Sequence, residues 1–124
     1  LGSAGNIGTR WPIHATSTGK AWLAFDETGI DRLTDTLAPM TGSTITNKVE
    51  LQPQLAEIRR RGYAVTVDEI EEGFTAIATI IRGVLGDVLG ALSIGGPTQR
   101  LTAARRAELG VTLCRAAQRL NPEY

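Results

Sequence analysis

Phe74-Thr-Ala-Ile-Ala-Thr-Ile-Ile81, followed by Arg82-Gly-Val-Leu-Gly-Asp87 and Val88-Leu-Gly-Ala-Leu-Ser-Ile94, is the stretch that decides the architecture. Two runs of β-branched and small apolar residues flank a glycine-containing turn, a pattern that predicts an antiparallel hairpin. Gly95-Gly96-Pro97 reads as the stop of the second strand. Because side chains alternate across a strand, Ala91, Ser93 and Gly95 are expected on one face, and Gly90, Leu92 and Ile94 on the other. Ala76 and Ala78 of the first strand extend the former face, while Ile77 and Ile81 point to the opposite side. The first face is therefore small and mildly polar. Such a face serves either close packing of a helix or the wall of a concave ligand pocket, and both readings stay open.

Outward from the hairpin, Tyr63 to Val67 is a third β-prone run, joined to it by the acidic turn Asp68-Glu-Ile-Glu-Glu-Gly73. Ahead of that, Leu51, Leu55 and Ile58 recur at helical spacing, with Pro53 in the expected first turn and Gly62 just past the end. Arg59, Arg60 and Arg61 fall in the last turn, where they read as a dipole complement on a solvated face rather than a phosphate patch. A helix is expected from Ala15 to Phe25, opened by Thr16, Ser17 and Thr18, whose hydroxyls can cap first-turn amides. Ile30, Leu33 and Leu37 predict a second short helix from Gly29 to Ala38. A long amphipathic helix from Thr102 to Leu120, with Leu109, Leu113, Ala116 and Leu120 on one face, closes the chain. The order implies an α+β fold, an antiparallel sheet covered by helices.

With 124 residues the chain is expected to be one domain, 1–124. Thirteen basic and thirteen acidic residues balance to zero, so no net field draws it to nucleic acid or anionic lipid. Cys114, the lone cysteine, has no disulfide partner and no neighbouring ligand for zinc. No apolar run reaches the roughly 18–20 residues of a membrane span, and no secretory signal is visible; a cytoplasmic location and no membrane partner are expected. The glycine-rich Leu1-Gly-Ser-Ala-Gly-Asn-Ile-Gly8 reads as an extended entry and not as the natural start of a fold, which points to a piece of a longer protein.

Catalytic chemistry is thinly represented. His14, the single histidine, sits beside a helix start, where a structural hydrogen bond outweighs a general-base role. Cys114 lies by the apolar stripe of the last helix and reads as a small hydrophobe. Ser17-Thr-Gly-Lys20 fails as a phosphate-binding loop, since His14 stands where the first glycine is needed and Ala21 where a hydroxyl must follow. What remains is a helix start whose free amides, near Ser17, Thr18 and Gly19, either hold a carboxylate or are simply capped. The acidic cluster Asp68, Glu69, Glu71 and Glu72 lacks the alternation and glycine of a calcium loop and reads as a solvated turn; Arg10 and Lys20 are expected to point outward. No catalytic residue, metal site or cofactor is expected.

Three blocks in register, Gly8-Thr-Arg-Trp-Pro-Ile-His-Ala-Thr-Ser-Thr-Gly-Lys-Ala-Trp-Leu-Ala24, Ile58-Arg-Arg-Arg-Gly-Tyr-Ala64 with the acidic turn to Gly73, and Ala91-Leu-Ser-Ile-Gly-Gly-Pro97, resemble the effector-binding domain of the IclR family of bacterial transcriptional regulators. The resemblance spans nearly the whole chain. It implies a GAF-like antiparallel sheet flanked by helices, a small-molecule effector, commonly a carboxylate, and dimers or tetramers. It also implies a winged helix-turn-helix domain that contacts operator DNA and is absent from this chain, with early strands of the effector domain missing too. By the same resemblance the effector contacts fall on Ser17 and Thr18, on Thr66, on Ala76, and on Ser93 and Gly95. The family can carry an acidic residue at the position of Thr66, a sulfur residue at that of Ala76 and a second serine at that of Gly95, which leaves the effector's identity open. Two rival functions are a small GAF-like enzyme working through His14 or the acidic turn, and an oligomerisation domain with no ligand.

Overall fold

A computed structural model describes residues 12–26 and 28–121. Arg10 and the extended entry expected at the first eight residues lie outside them. Three strands, β1 (Ala64–Val67), β2 (Phe74–Arg82) and β3 (Val88–Pro97), form one antiparallel sheet in sequence order. Helices α1 (Ser17–Phe25) and α2 (Lys48–Arg61) lie with one face of the sheet, and α3 (Ala103–Arg119) covers the other. The expected α+β arrangement is thus present.

The pairing Thr66↔Ala76↔Gly95 and Ala64↔Ala78↔Ser93 puts these residues on one face, as the alternation requires. On that face Ala64, Ala78 and Ile80 pack with Ala21, Leu23, Leu51, Leu55 and Ile58 of α1 and α2. On the other, Ile77 packs with Leu101 and Leu113. Gly95-Gly96-Pro97 does not end the strand: Gly96 opposes Thr75 and Pro97 opposes Phe74. Among the described residues β3 has no neighbour on its far side, and an edge strand tolerates a proline that a central strand would reject.

Helix ends follow their side chains. Thr16 accepts from the Gly19 amide (3.1 Å), Asn47 from that of Glu50 (2.8 Å) and Thr102 from that of Arg105 (3.3 Å). Gly62 closes α2 at φ +95°, donating to the Ile58 carbonyl at 2.7 Å. Because α2 begins at Lys48, Pro53 lies inside it and not in its first turn. Pro53 and Val49 are both exposed, so water can serve the Val49 carbonyl that proline leaves unbonded.

Two expectations fail for identifiable reasons. The helix expected over Gly29 to Ala38 shrinks to a single 3-10 turn, Ile30–Arg32, and Leu33 is already extended. Thr34 Oγ1 donates to the Thr36 carbonyl (2.6 Å), Leu37 N–H to the Thr46 carbonyl (2.8 Å) and Lys48 N–H to the Asp35 carbonyl (3.1 Å), so this segment bridges to the lead-in of α2 instead of winding. On α3 the buried line is Gly110, Leu113 and Ala117, whereas Ala116 is half-buried and Leu120 is exposed. The cause is Gly110: a Cβ there would stand 2.5 Å from the Tyr63 ring, so the helix meets the sheet along its glycine edge.

Candidate functional site: a cleft between the first helix and the sheet

The start of α1, the acidic turn and the small-residue sheet face enclose a cleft of about 180 Å³. Six of the seven residues singled out from sequence line it: Ser17, Thr18, Thr66, Ala76, Ser93 and Gly95. Thr66 and Ala76 are buried at its floor, while Ser93 and Gly95 are exposed along β3, the open side. The small face therefore packs helices at one end, through Ala64 and Ala78, and leaves space at the other. Gly19 is not among the lining residues. Its amide is taken by Thr16 Oγ1, and a Cβ on it would lie 2.1 Å from the Ile13 carbonyl oxygen, so its glycine character serves chain crossing.

Sequence reasoning missed Thr16, Ile70, Glu71 and Phe74, which also line the cleft. Ile70 was legible as the one apolar residue of an acidic turn. Phe74 opens β2 on the same face as Ala76, and its ring lies over Gly95: a Cβ on that glycine would stand 2.6 Å from Phe74 Cζ. Glycine at 95 thus gives the aromatic wall its place. The amides of Ser17 and Thr18, in the first helical turn, precede any intrahelical acceptor, and among the described residues no Lys or Arg lines the cleft.

The acidic turn is not simply solvated, and Lys20 does not point outward. Lys20 is fully buried and its Nζ donates to Glu69 Oε1 at 2.6 Å, with a second bond to Gln54 Oε1. The Glu69 carbonyl accepts from Thr44 Oγ1 (2.5 Å) and the Asp68 carbonyl from Thr41 Oγ1 (2.5 Å). Asp68 itself adopts φ +58°, and its Oδ1 accepts from Gly73 N–H (3.0 Å) and Thr98 Oγ1 (2.6 Å). Lys20 follows the α1 start by three residues and Glu69 precedes Ile70, so the ion pair ties together the two walls of the cleft. Burial pulls the Lys20 ammonium below its ordinary range, against the opposing pull of Glu69. Burial likewise pushes the Glu69 carboxyl up, opposed by Lys20 and His14.

His14 is buried, and its Nε2 bonds the Ala38 carbonyl at 2.8 Å, fastening the α1 lead-in to the loop before α2. Cys114 is half-buried, with Sγ 3.4 Å from the Gly62 carbonyl oxygen. Neither lines the cleft. Among the described residues no group of three His, Cys, Asp or Glu side chains could hold a metal, and no helix is long and apolar enough to cross a membrane.

Residues 2–121 match the family model for the bacterial transcriptional regulator IclR C-terminal domain. The chain is 33% identical over 121 residues to the transcriptional repressor IclR of Escherichia coli, covering 95% of this chain and 44% of that protein. It therefore spans less than half the length of this curated relative. The crystal structure of the repressor BlcR of Agobacterium tumefaciens superposes with a TM-score of 0.87 at 27% identity, over 94% of this chain and 49% of that one. The inducer-binding domain of the PobR transcription factor from Acinetobacter, a double mutant in complex with 3-hydroxybenzoic acid, superposes with a TM-score of 0.80 at 31% identity, over 91% and 67%. With the whole helix–sheet–helix order matched and the cleft formed where the three sequence blocks meet, this chain belongs to the family of IclR-type transcriptional regulator C-terminal domains.

Proposed function

We propose that this domain senses a small carboxylate effector in the α1–sheet cleft and, as part of a longer oligomeric regulator, passes that occupancy to operator binding by a separate winged helix-turn-helix. The observation that carries the reading is the cleft itself, a first helical turn facing a floor of small residues with no cation among the described lining residues. At about 180 Å³ it is smaller than the roughly 300–1,000 Å³ of sites for drug-sized ligands, which favours a short acid.

The anionic end belongs at the Ser17 and Thr18 amides, where unpaired N–H groups and the positive end of the helix dipole favour negative charge. Glu71 lines the same space and opposes a second negative charge, while its oxygens can accept from a ligand hydroxyl. A hydroxylated monoacid, with its apolar body against Phe74 and Ile70, satisfies both conditions. The PobR domain that binds 3-hydroxybenzoic acid has this same fold, which supports that chemical class.

Signalling requires that the effector bind one assembly state better than another. The connection at the hairpin tip exposes Val84 (56%) and Leu85 (93%), with Leu89 (55%) beside them, an apolar surface suited to a second copy of the domain. The relatives matched are transcriptional regulators, and His14, tied to the Ala38 carbonyl away from the cleft, supports a non-enzymatic reading. A cytoplasmic site of action follows from that role.

A thermal-shift screen of small monoacids tests the proposal. An effector at 100 times its Kd should stabilise the fold by about 2.7 kcal/mol, and Ser93→Leu, which fills the cleft mouth, should abolish the shift. A domain that only oligomerises would show no saturable shift with any acid.

A further inference from the structure

At the far end of β2 from the effector cleft, a larger cleft of about 450 Å³ has Leu23 and Leu55 as buried floor and Arg59 and Arg82 in its lining. Both arginines are exposed, and neither has a carboxylate within ion-pair distance among the described residues. Each is nevertheless held. Arg59 Nη1 donates to the Ala24 carbonyl at 3.1 Å, which leaves the rest of its five-donor fork available. The Arg82 guanidinium stacks 4.4 Å from the Phe25 ring centroid. The β2–β3 register shifts between Ile81 and Arg82, and bulges of this kind re-aim a side chain at a sheet end. Asp26 also lines the cleft, but its Oδ1 accepts from both the amide and the hydroxyl of Thr28 at 3.1 Å. The neighbouring arginines of the α2 terminus are otherwise engaged: Arg60 pairs with Glu57, and Arg61 stacks on Tyr63.

We infer that this cleft is a second ligand site, for a small carboxylate with an apolar body, whose anionic group is held between Arg59 and Arg82 while the body lies on Leu23 and Leu55. Two ordered guanidiniums over an apolar floor supply both parts of that recognition, charge-assisted hydrogen bonds to the head and area burial for the tail. The volume, more than twice that of the effector cleft, sets the preference for a longer acid. The two clefts share no lining residue.

Octanoate is the probe, titrated calorimetrically into the chain and into Arg82→Gln, Arg59→Gln and Ser93→Leu. The expected result is saturable binding that weakens at least tenfold in each arginine variant, the low end for losing one charge-assisted bond, and is unchanged in Ser93→Leu. Inorganic phosphate should bind at least tenfold more weakly than octanoate, because it has no apolar body. Arg59→Gln also removes a bond to the end of α1, so Arg82→Gln, at an exposed position, is the variant that decides, with its unfolding midpoint checked against the parent. Absence of saturable octanoate binding, unchanged affinity in Arg82→Gln, or equal affinity for phosphate would overturn the inference. Loss of octanoate binding in Ser93→Leu would also overturn it, since the acid would then occupy the effector cleft.

Discussion

Replacing Glu69 by Gln removes the carboxylate paired with Lys20 while keeping the size of the side chain, and it should cost several kcal/mol. Lys20 is fully buried and bonded to Glu69 Oε1 at 2.6 Å. Without that partner the ammonium either stays charged and buried with neutral amide oxygens, Gln54 Oε1 among them, as its acceptors, or gives up its proton. The second route caps the penalty: neutralising a lysine whose ordinary pKa is 10.5 costs about 4.8 kcal/mol at pH 7, at about 1.36 kcal/mol per pH unit. Breaking one side of a buried pair typically costs about 3–5 kcal/mol, so the expected loss sits near the cap. At about 2.1 cal/mol/K per residue, a 124-residue chain should lose roughly 12–18 °C in Tm.

The pH dependence carries a definite sign. Burial already depresses Lys20 in the folded protein and the substitution depresses it further, so the folded variant binds fewer protons than the unfolded one below pH 10.5. Its stability should therefore rise between pH 7 and pH 9, by up to about 1.36 kcal/mol per unit, and more steeply than that of the parent. Denaturant unfolding followed by circular dichroism measures both quantities. Lys20→Met/Glu69→Leu, which removes both charges, should be more stable than Glu69→Gln alone. A loss below about 1 kcal/mol at pH 7, or a deficit relative to the parent that does not change with pH, would refute the reasoning.

Gly95→Ala should displace the Phe74 ring, which a new Cβ would approach to 2.6 Å, costing about 1–3 kcal/mol in thermal unfolding and weakening effector binding in the same samples. Gly62→Ala forces a side chain into φ +95° with its Cβ 3.2 Å from Cys114 Sγ, so a loss of at least about 1–2 kcal/mol is expected on denaturant unfolding, with the cleft intact. Ser93→Leu should leave the unfolding midpoint nearly unchanged, since Ser93 is exposed, yet abolish effector binding in calorimetry. The chain on its own should give no competitor-resistant operator shift in a gel assay, because its basic and acidic residues balance to a formal charge of zero.

The hairpin and its two faces were legible because a period of two in β-branched and small residues has few competing explanations. The starts of α1 and α3 and the end of α2 were legible to within a residue or two from Thr16, Thr102 and Gly62, whereas the start of α2 was not, because Pro53 sits inside the helix. Leu33 misled because its spacing from Ile30 and Leu37 is helical, while the Thr34 hydroxyl is turned to the Thr36 carbonyl and the Leu37 amide to the Thr46 carbonyl. The face of α3 was misjudged because a glycine counts as nothing in an apolar stripe, yet Gly110 is where the helix packs against the Tyr63 ring. Within the cleft, the small residues could be read from alternation. The Lys20–Glu69 pair could not, since it joins residues 49 apart and no local pattern marks a buried lysine. Phe74 escaped for a related reason: its role depends on Gly95, its diagonal neighbour across the strands, and is fixed by register.

The most direct test of the sensing account is a matched titration of 3-hydroxybenzoic acid and its primary amide into this chain by calorimetry. Two amides at the α1 start, Ser17 and Thr18, are proposed to hold the ionised head, and each charge-assisted bond contributes about 1.5–3 kcal/mol. The account predicts that the acid binds and that the amide binds at least tenfold more weakly, with the difference unchanged in Arg82→Gln. Equal affinity for acid and amide, or no binding of the acid under conditions where another uncharged ligand fills the cleft, would contradict it.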